Sequence, residues 1–198
     1  MPTRPREAAR PLQLVAAAAV GVLAVLALGV TGSPAAVRAA ACKVTVYPGQ
    51  PVKHTTNIDL KPKYNSFPPT TGTHFQYPAK FNLYTMALPQ LVVVHNLEHG
   101  GIAIQYGRKV PKATVRKIKA WYLKDTNGLL VAPLPALGGK IALTAWNAEP
   151  YRGSVPDPGH GYVGMCSRFD ETAFDAFVKS HRYKSGERFD RSVTARQQ

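Results

Sequence analysis

The sequence predicts an α+β fold: a small mixed β-sheet with two helices and long Pro/Gly-rich loops, following an N-terminal transmembrane helix. Three observations carry that expectation. Short apolar, β-branched runs at Leu91–Val94, Ile102–Tyr106, Leu129–Ala132 and Ile141–Trp146 are interleaved with helical patterns. The chain scatters 17 Pro and 16 Gly along 198 residues, which excludes a coiled coil and demands irregular connections. Near the N-terminus, Leu12–Val30 is apolar throughout except for Gln13.

That first run comes after Arg4, Arg6 and Arg10. In a helix rising about 1.5 Å per residue it spans roughly 28 Å, the hydrocarbon thickness of a bilayer. The positive flank keeps the N-terminus cytoplasmic and exports the chain beyond Val30. The leading expectation is an uncleaved single-pass anchor, with the lipid bilayer as its partner. The alternative is a signal peptide cut within the small residues Ser33–Ala41, which would give a secreted protein. A lipoprotein signal ending at Cys42 fits less well, because Ala39 stands where such signals usually carry a larger aliphatic. Residues 1–41 are therefore read as stub, anchor or signal segment and linker, 42–185 as an extracytoplasmic domain, and 186–198 as a mobile polar tail.

Within the domain, Lys43–Tyr47 alternates in strand fashion, and Pro48 to Thr73 is rich in Pro, Asn, Thr and Gly and reads as irregular. Pro111 opens a helix to about Lys124, with Val115, Ile118, Trp121 and Tyr122 inward and Lys112, Arg116, Lys117 and Lys119 outward. Asn127–Gly128 stops it. Tyr151 to Gly164 reads as a Gly/Pro-rich loop, and Asp170 caps a last helix that turns Phe174, Phe177 and Val178 inward.

Beyond residue 41 the chain carries 21 Lys and Arg against 10 Asp and Glu, a formal +11. An exported domain so charged is drawn to anionic lipid headgroups or acidic envelope polymers. Nucleic acid is not an expected partner, given the export segment and the absence of aromatic interleaving among the basic residues. Two cysteines are too few for a disulfide scaffold. In an oxidising compartment Cys42 and Cys166 pair with each other; the rival readings are a lipidated Cys42, or a Cys166 metal ligand helped by Met165 and His160.

The densest polar cluster is His95-Asn96-Leu97-Glu98-His99-Gly100-Gly101. On a strand, residues four apart lie about 13 Å apart, whereas on a helical turn they lie about 6 Å apart. A shared metal therefore requires a helical or tightly folded turn, which Gly100–Gly101 can end abruptly. An earlier segment, Tyr64-Asn65-Ser66-Phe67-Pro68-Pro69-Thr70-Thr71-Gly72-Thr73-His74, is stiffened by its Pro-Pro step and turned by Thr70–Gly72. If it folds over the strand pair, His74 joins His95 and His99, with Glu98 as ligand or supporting carboxylate. Such a set suits zinc or copper. The competing reading is that His95, Asn96, Glu98 and His99 hydrogen-bond loop backbone. His54 and His181 read as surface residues and His160 as an exposed turn.

The string also fits the inverted zinc-protease pattern His-x-x-Glu-His, with Glu149 or Glu171 as third ligand. Its β-branched flanks argue against the long helix such enzymes use. No Ser/His/Asp or Cys/His constellation stands out, and the scattered carboxylates do not suggest a glycosidase.

Three ordered motifs, Tyr64-Asn65-Ser66 through His74, Val94–Tyr106 and Leu143-Thr144-Ala145-Trp146, resemble the family called domain of unknown function 3105. The resemblance spans roughly Val44 to His181. It implies a bacterial protein with one N-terminal membrane segment, and it makes the motifs look like one shared site in which Tyr64, Asn65, Pro69, Thr70, Gly72 and Asn96 support the histidines. It implies no activity. Two functions are expected from the sequence: metal binding, or a non-enzymatic basic envelope-binding module. A metal-dependent hydrolase is the lesser alternative.

Overall fold

In chain order the elements are β1 (Cys42–Pro48), β2 (Lys53–Thr55), β3 (Thr73–Phe75), α1 (Gln90–Glu98), β4 (Ile102–Tyr106), α2 (Lys112–Tyr122), β5 (Leu129–Pro133), a 3-10 turn at Pro135–Leu137, β6 (Ile141–Asn147), β7 (His160–Cys166) and α3 (Glu171–His181). The computed structural model describes Met1, residues 40–149 and residues 157–187. The Leu12–Val30 span, nearly all of the Ser33–Ala41 window, the first part of Tyr151–Gly164 and residues 188–198 of the tail lie outside the described residues. Among the described residues no helix is long and apolar enough to cross a membrane.

Five strands form a mixed sheet in the order β1-β7-β6-β4-β5. Only β4 and β5 run parallel, and α2 lies in the crossover between them. The strand alternation sorts side chains cleanly onto two faces. Ile102, Ile104, Leu129, Val131, Ile141 and Leu143 pack with Ile118, Trp121 and Tyr122 of α2 and Phe174, Phe177 and Val178 of α3. Their neighbours Ala103, Leu130, Ala132 and Trp146 pack on the other face with Phe81 and with Val93, Val94 and Leu97 of α1. The sheet thus lies between α1 on one side and α2 with α3 on the other.

Two expectations are corrected. Leu91–Val94 is helical, not a strand: it lies in α1, so the described residues hold three α-helices rather than two. Of the nine residues of α1, Leu91 and Val93 through Glu98 are buried, so no polar stripe marks the helix, and tertiary packing overrides the β preference of Val92–Val94. The second correction is that residues from His160 to Gly164, read as loop, are strand β7, hydrogen-bonded between β1 and β6. Its glycines serve close packing: a Cβ on Gly161 would overlap Thr70, and one on Gly164 would press on Phe177. The α2 expectation holds to within two residues at each end, with Pro111 as N-cap, and α3 begins where expected, with Asp170 accepting a hydrogen bond from Ala173 N.

Cys42 and Cys166 are disulfide-bonded, and they face each other in the β1–β7 register. Cys166 is therefore not a metal ligand, and Cys42 has no free thiol.

Candidate metal centre

The site is assembled by three short pieces of chain. β2 and β3 pair in parallel with His54 opposite His74, so the period of two turns both imidazoles to one side. Helix α1 supplies His95 and, one turn on, Glu98. Gly101 N bonds Asn96 O and Gly100 N bonds Leu97 O, an ending that needs the positive φ of Gly100 (80°). The helix thereby stops one residue past Glu98 and β4 can begin.

His54, His74, His95 and Glu98 each offer one donor atom, and these atoms all lie within 4.8 Å of one another. Glu98 Oε2 is 3.5 Å from His54 Nε2, 3.0 Å from His74 Nε2 and 3.9 Å from His95 Nε2. Bonds of 2.0–2.2 Å to a tetrahedral zinc ion put its donors about 3.3–3.6 Å apart, inside that spread. His74 is fully buried and Glu98 nearly so, while the His54 side chain is 47% exposed and forms the rim.

The outer contacts fix the tautomers. His74 Nδ1 is 2.8 Å from Gly72 O, and His95 Nδ1 is 2.5 Å from Phe75 O. A carbonyl only accepts, so each Nδ1 carries the proton and donates. With Nδ1 held by a carbonyl, each ring points its Nε2 into the cluster, the arrangement found at metal-binding histidines. Burial pushes His95 down to about 4, opposed by its bond to Phe75 and reinforced by His99 and His74. Burial raises the Glu98 carboxyl, but the hydrogen bond and charge of His74, with His54 and His95, outweigh it and leave Glu98 below its ordinary value.

The supporting residues hold this frame. Tyr64 donates to Thr73 O at 2.6 Å, and Asn65 Nδ2 donates to Pro48 O at 2.7 Å. Thr70, fully buried, bonds Ser66 across the turn, and Pro69 is buried beside it. Gly72, at φ 105°, presents the carbonyl that His74 binds. Asn96 clamps the backbone of Ala79 with both amide atoms, at 2.8 and 3.0 Å.

Of the sequence-expected ligands, His74, His95 and Glu98 come together. His99 stands outside the four-donor group, although its Nε2 is 2.9 Å from His95 Nε2. It belongs instead to a second group with Glu98 and Glu187, whose donor atoms also lie within 4.8 Å of one another. Sequence reasoning missed His54 and Glu187. The one signal for His54 was that it and His74 each sit centrally in a short polar or aromatic triplet, Lys53-His54-Thr55 and Thr73-His74-Phe75. Neither Glu149 nor Glu171 joins either group, and Glu171 pairs with Lys124. His160 is exposed at the start of β7. His181 is half-buried rather than on the surface, with Nδ1 accepting from Asn147 at 3.0 Å.

Fold and site define an α+β domain whose His/Glu cluster has the donors and spacing to hold a metal ion. Residues 55–194 match the family model described as "Protein of unknown function (DUF3105)", and the chain belongs to that family. No curated protein and no solved structure matches it.

Proposed function

We propose that this is an extracytoplasmic metal-binding domain, tethered through Leu12–Val30, that holds one zinc or copper ion with His54, His74, His95 and Glu98. One observation carries the reading: the donor atoms of His54, His74, His95 and Glu98, from three separate pieces of chain, converge within 4.8 Å of one another, with His74 and Glu98 buried. An imidazole set with one carboxylate favours a borderline metal over calcium or magnesium, which take oxygen ligands. Four protein donors would close a tetrahedral shell, the pattern of a structural or storage site. The Cys42–Cys166 disulfide supports export, because such bonds persist in oxidising compartments. Metal analysis of the full chain, purified without chelator, should find zinc or copper that a His74→Ala, His95→Ala variant lacks. A wild-type chain that takes up neither ion when supplied in excess would overturn the proposal.

A second reading has its own observation. Lys112, Arg116, Lys117 and Lys119 form an exposed row on α2, and none of them takes part in an ion pair among the described residues. Such a face suits acidic envelope polymers or lipid headgroups. Binding to anionic vesicles that weakens with salt and with Lys→Gln changes on α2, but not with histidine changes, would support it. Binding that salt leaves unaltered would refute it.

A further inference from the structure

We propose that the centre is built for two ions, with Glu98 bridging them and His99 and Glu187 completing the second position. This inference rests on the metal-binding reading above and extends it. The two donor groups share one residue, Glu98. A carboxylate has two oxygens, and Oε2 is the one facing the three imidazoles of the first group. The other oxygen can serve a neighbouring ion in the manner of bridged pairs about 3.5–4 Å apart.

Three further features fit. His95 and His99 stand one helical turn apart with rings stacked at 4.8 Å between centroids and 27° between planes. Their Nε2 atoms are 2.9 Å apart, and the two residues fall in the first and second groups respectively, which places neighbouring imidazoles beside neighbouring ions. Glu187 is brought in by the chain that leaves α3. Tyr183 N bonds Gly100 O at 2.8 Å, Ser185, 1% exposed, donates to Glu187 O at 3.2 Å, and the His99 ring is hydrogen-bonded to the Glu187 backbone. The segment is thus fastened onto the end of α1 before it delivers its carboxylate. Finally, Glu98 and Glu187 bring two carboxylates within hydrogen-bond reach of each other, and like charges so placed need a cation or a proton between them.

The positions differ in kind. The first has four protein donors and is closed. The second has three, Glu98, His99 and Glu187, and leaves room for water or an external ligand. Any exchangeable or reactive chemistry would belong to the second ion, with the first holding Glu98 in place.

The test is a cobalt(II) chloride titration of the metal-free full chain, with bound metal counted after desalting and the electron paramagnetic resonance of the loaded protein recorded. Glu187→Gln removes a donor at the site's outer edge, and its circular dichroism should match wild type. Two equivalents with exchange-coupled cobalt in wild type, falling to one uncoupled equivalent in Glu187→Gln, is the expected result. One equivalent in both proteins would overturn the two-ion inference and leave the single-site proposal standing. Two equivalents in both would place the second ion elsewhere and overturn it equally. No uptake by wild type would sink both proposals.

Discussion

Zinc should raise the melting temperature of this domain, and His74→Ala should abolish most of the gain. The donors lie on β2, β3 and α1, from His54 to Glu98, and meet only in the folded chain. Binding therefore adds to stability by mass action, about 2.7 kcal/mol at a free zinc concentration 100 times the dissociation constant. The described domain has about 140 residues, so its unfolding entropy is roughly 0.3 kcal/mol per degree. The expected rise is about 9 °C. His74 is one of four donors, and losing it should weaken binding at least as much as the 10–100-fold typical of outer supports. At a 100-fold loss the same zinc concentration gives only about 0.4 kcal/mol, a rise near 1 °C. The assay is thermal unfolding followed by circular dichroism, with zinc and then with chelator, and repeated with copper. A wild-type shift below 2 °C with both ions would refute the reasoning. So would equal shifts in wild type and His74→Ala, since the metal would then sit outside the cluster.

Other outcomes rest on the same geometry. The Cys42–Cys166 bond closes a loop with a sequence separation of 124, which the chain-entropy model values at about 5 kcal/mol. Urea unfolding of the Cys42→Ala, Cys166→Ala variant should show a loss of several kcal/mol, and a loss under about 1 kcal/mol would contradict the model. Gly161→Ala would drive a methyl group into Thr70, in the turn leading to His74, and overpacking of this kind costs about 1–3 kcal/mol. Both the urea midpoint and zinc affinity should fall, and unchanged affinity would show that the turn does not position His74. Burial lowers the His181 imidazole, whose Nδ1 accepts from Asn147 in the neutral form. The unfolded chain then takes up the proton first, so His181 contributes full stability above its ordinary value of 6.5 and loses it as pH falls below that. The drop in urea midpoint between pH 7.5 and 5.5 should be smaller in His181→Gln than in wild type. An identical drop would contradict the assignment.

How much of the fold was legible in the sequence depends on how each element meets solvent. Helices α2 and α3 show one apolar stripe because each has one buried and one wet face, so Ile118–Trp121–Tyr122 and Phe174–Phe177–Val178 could be read directly. Strands β4, β5 and β6 are covered on both sides and appear as apolar runs. Helix α1 is enclosed by the sheet on one side and by the β2–β3 ribbon on the other, so its valines carry no helical rhythm. Strand β7 hides because Gly161 and Gly164, which yield space to Thr70 and Phe177, have the composition of a turn. At the centre, the motif density at His95–His99 pointed to the right place, and the restricted Tyr64–His74 loop pointed to its partner. His54 escaped because a three-residue strand pairing in parallel with another leaves almost no local pattern. Glu187 reaches the centre through the Tyr183 backbone and a short-range Ser185 hydroxyl-to-backbone hydrogen bond, neither of which has a recognisable motif in the sequence.

The position of the disulfide has a mechanical consequence. Strand β1 is an edge strand, largely exposed along its length, with Val44 and Val46 about half open to solvent. Hydrogen bonds alone would let tension on the preceding chain peel it away from β7 one pair at a time. Because Cys42 is its first residue and is bonded to Cys166, tension arriving from the N-terminal side bypasses the strand and passes into β7, which is hydrogen-bonded on both sides. The imidazole frame beyond Pro48 is thereby insulated from traction applied at Cys42.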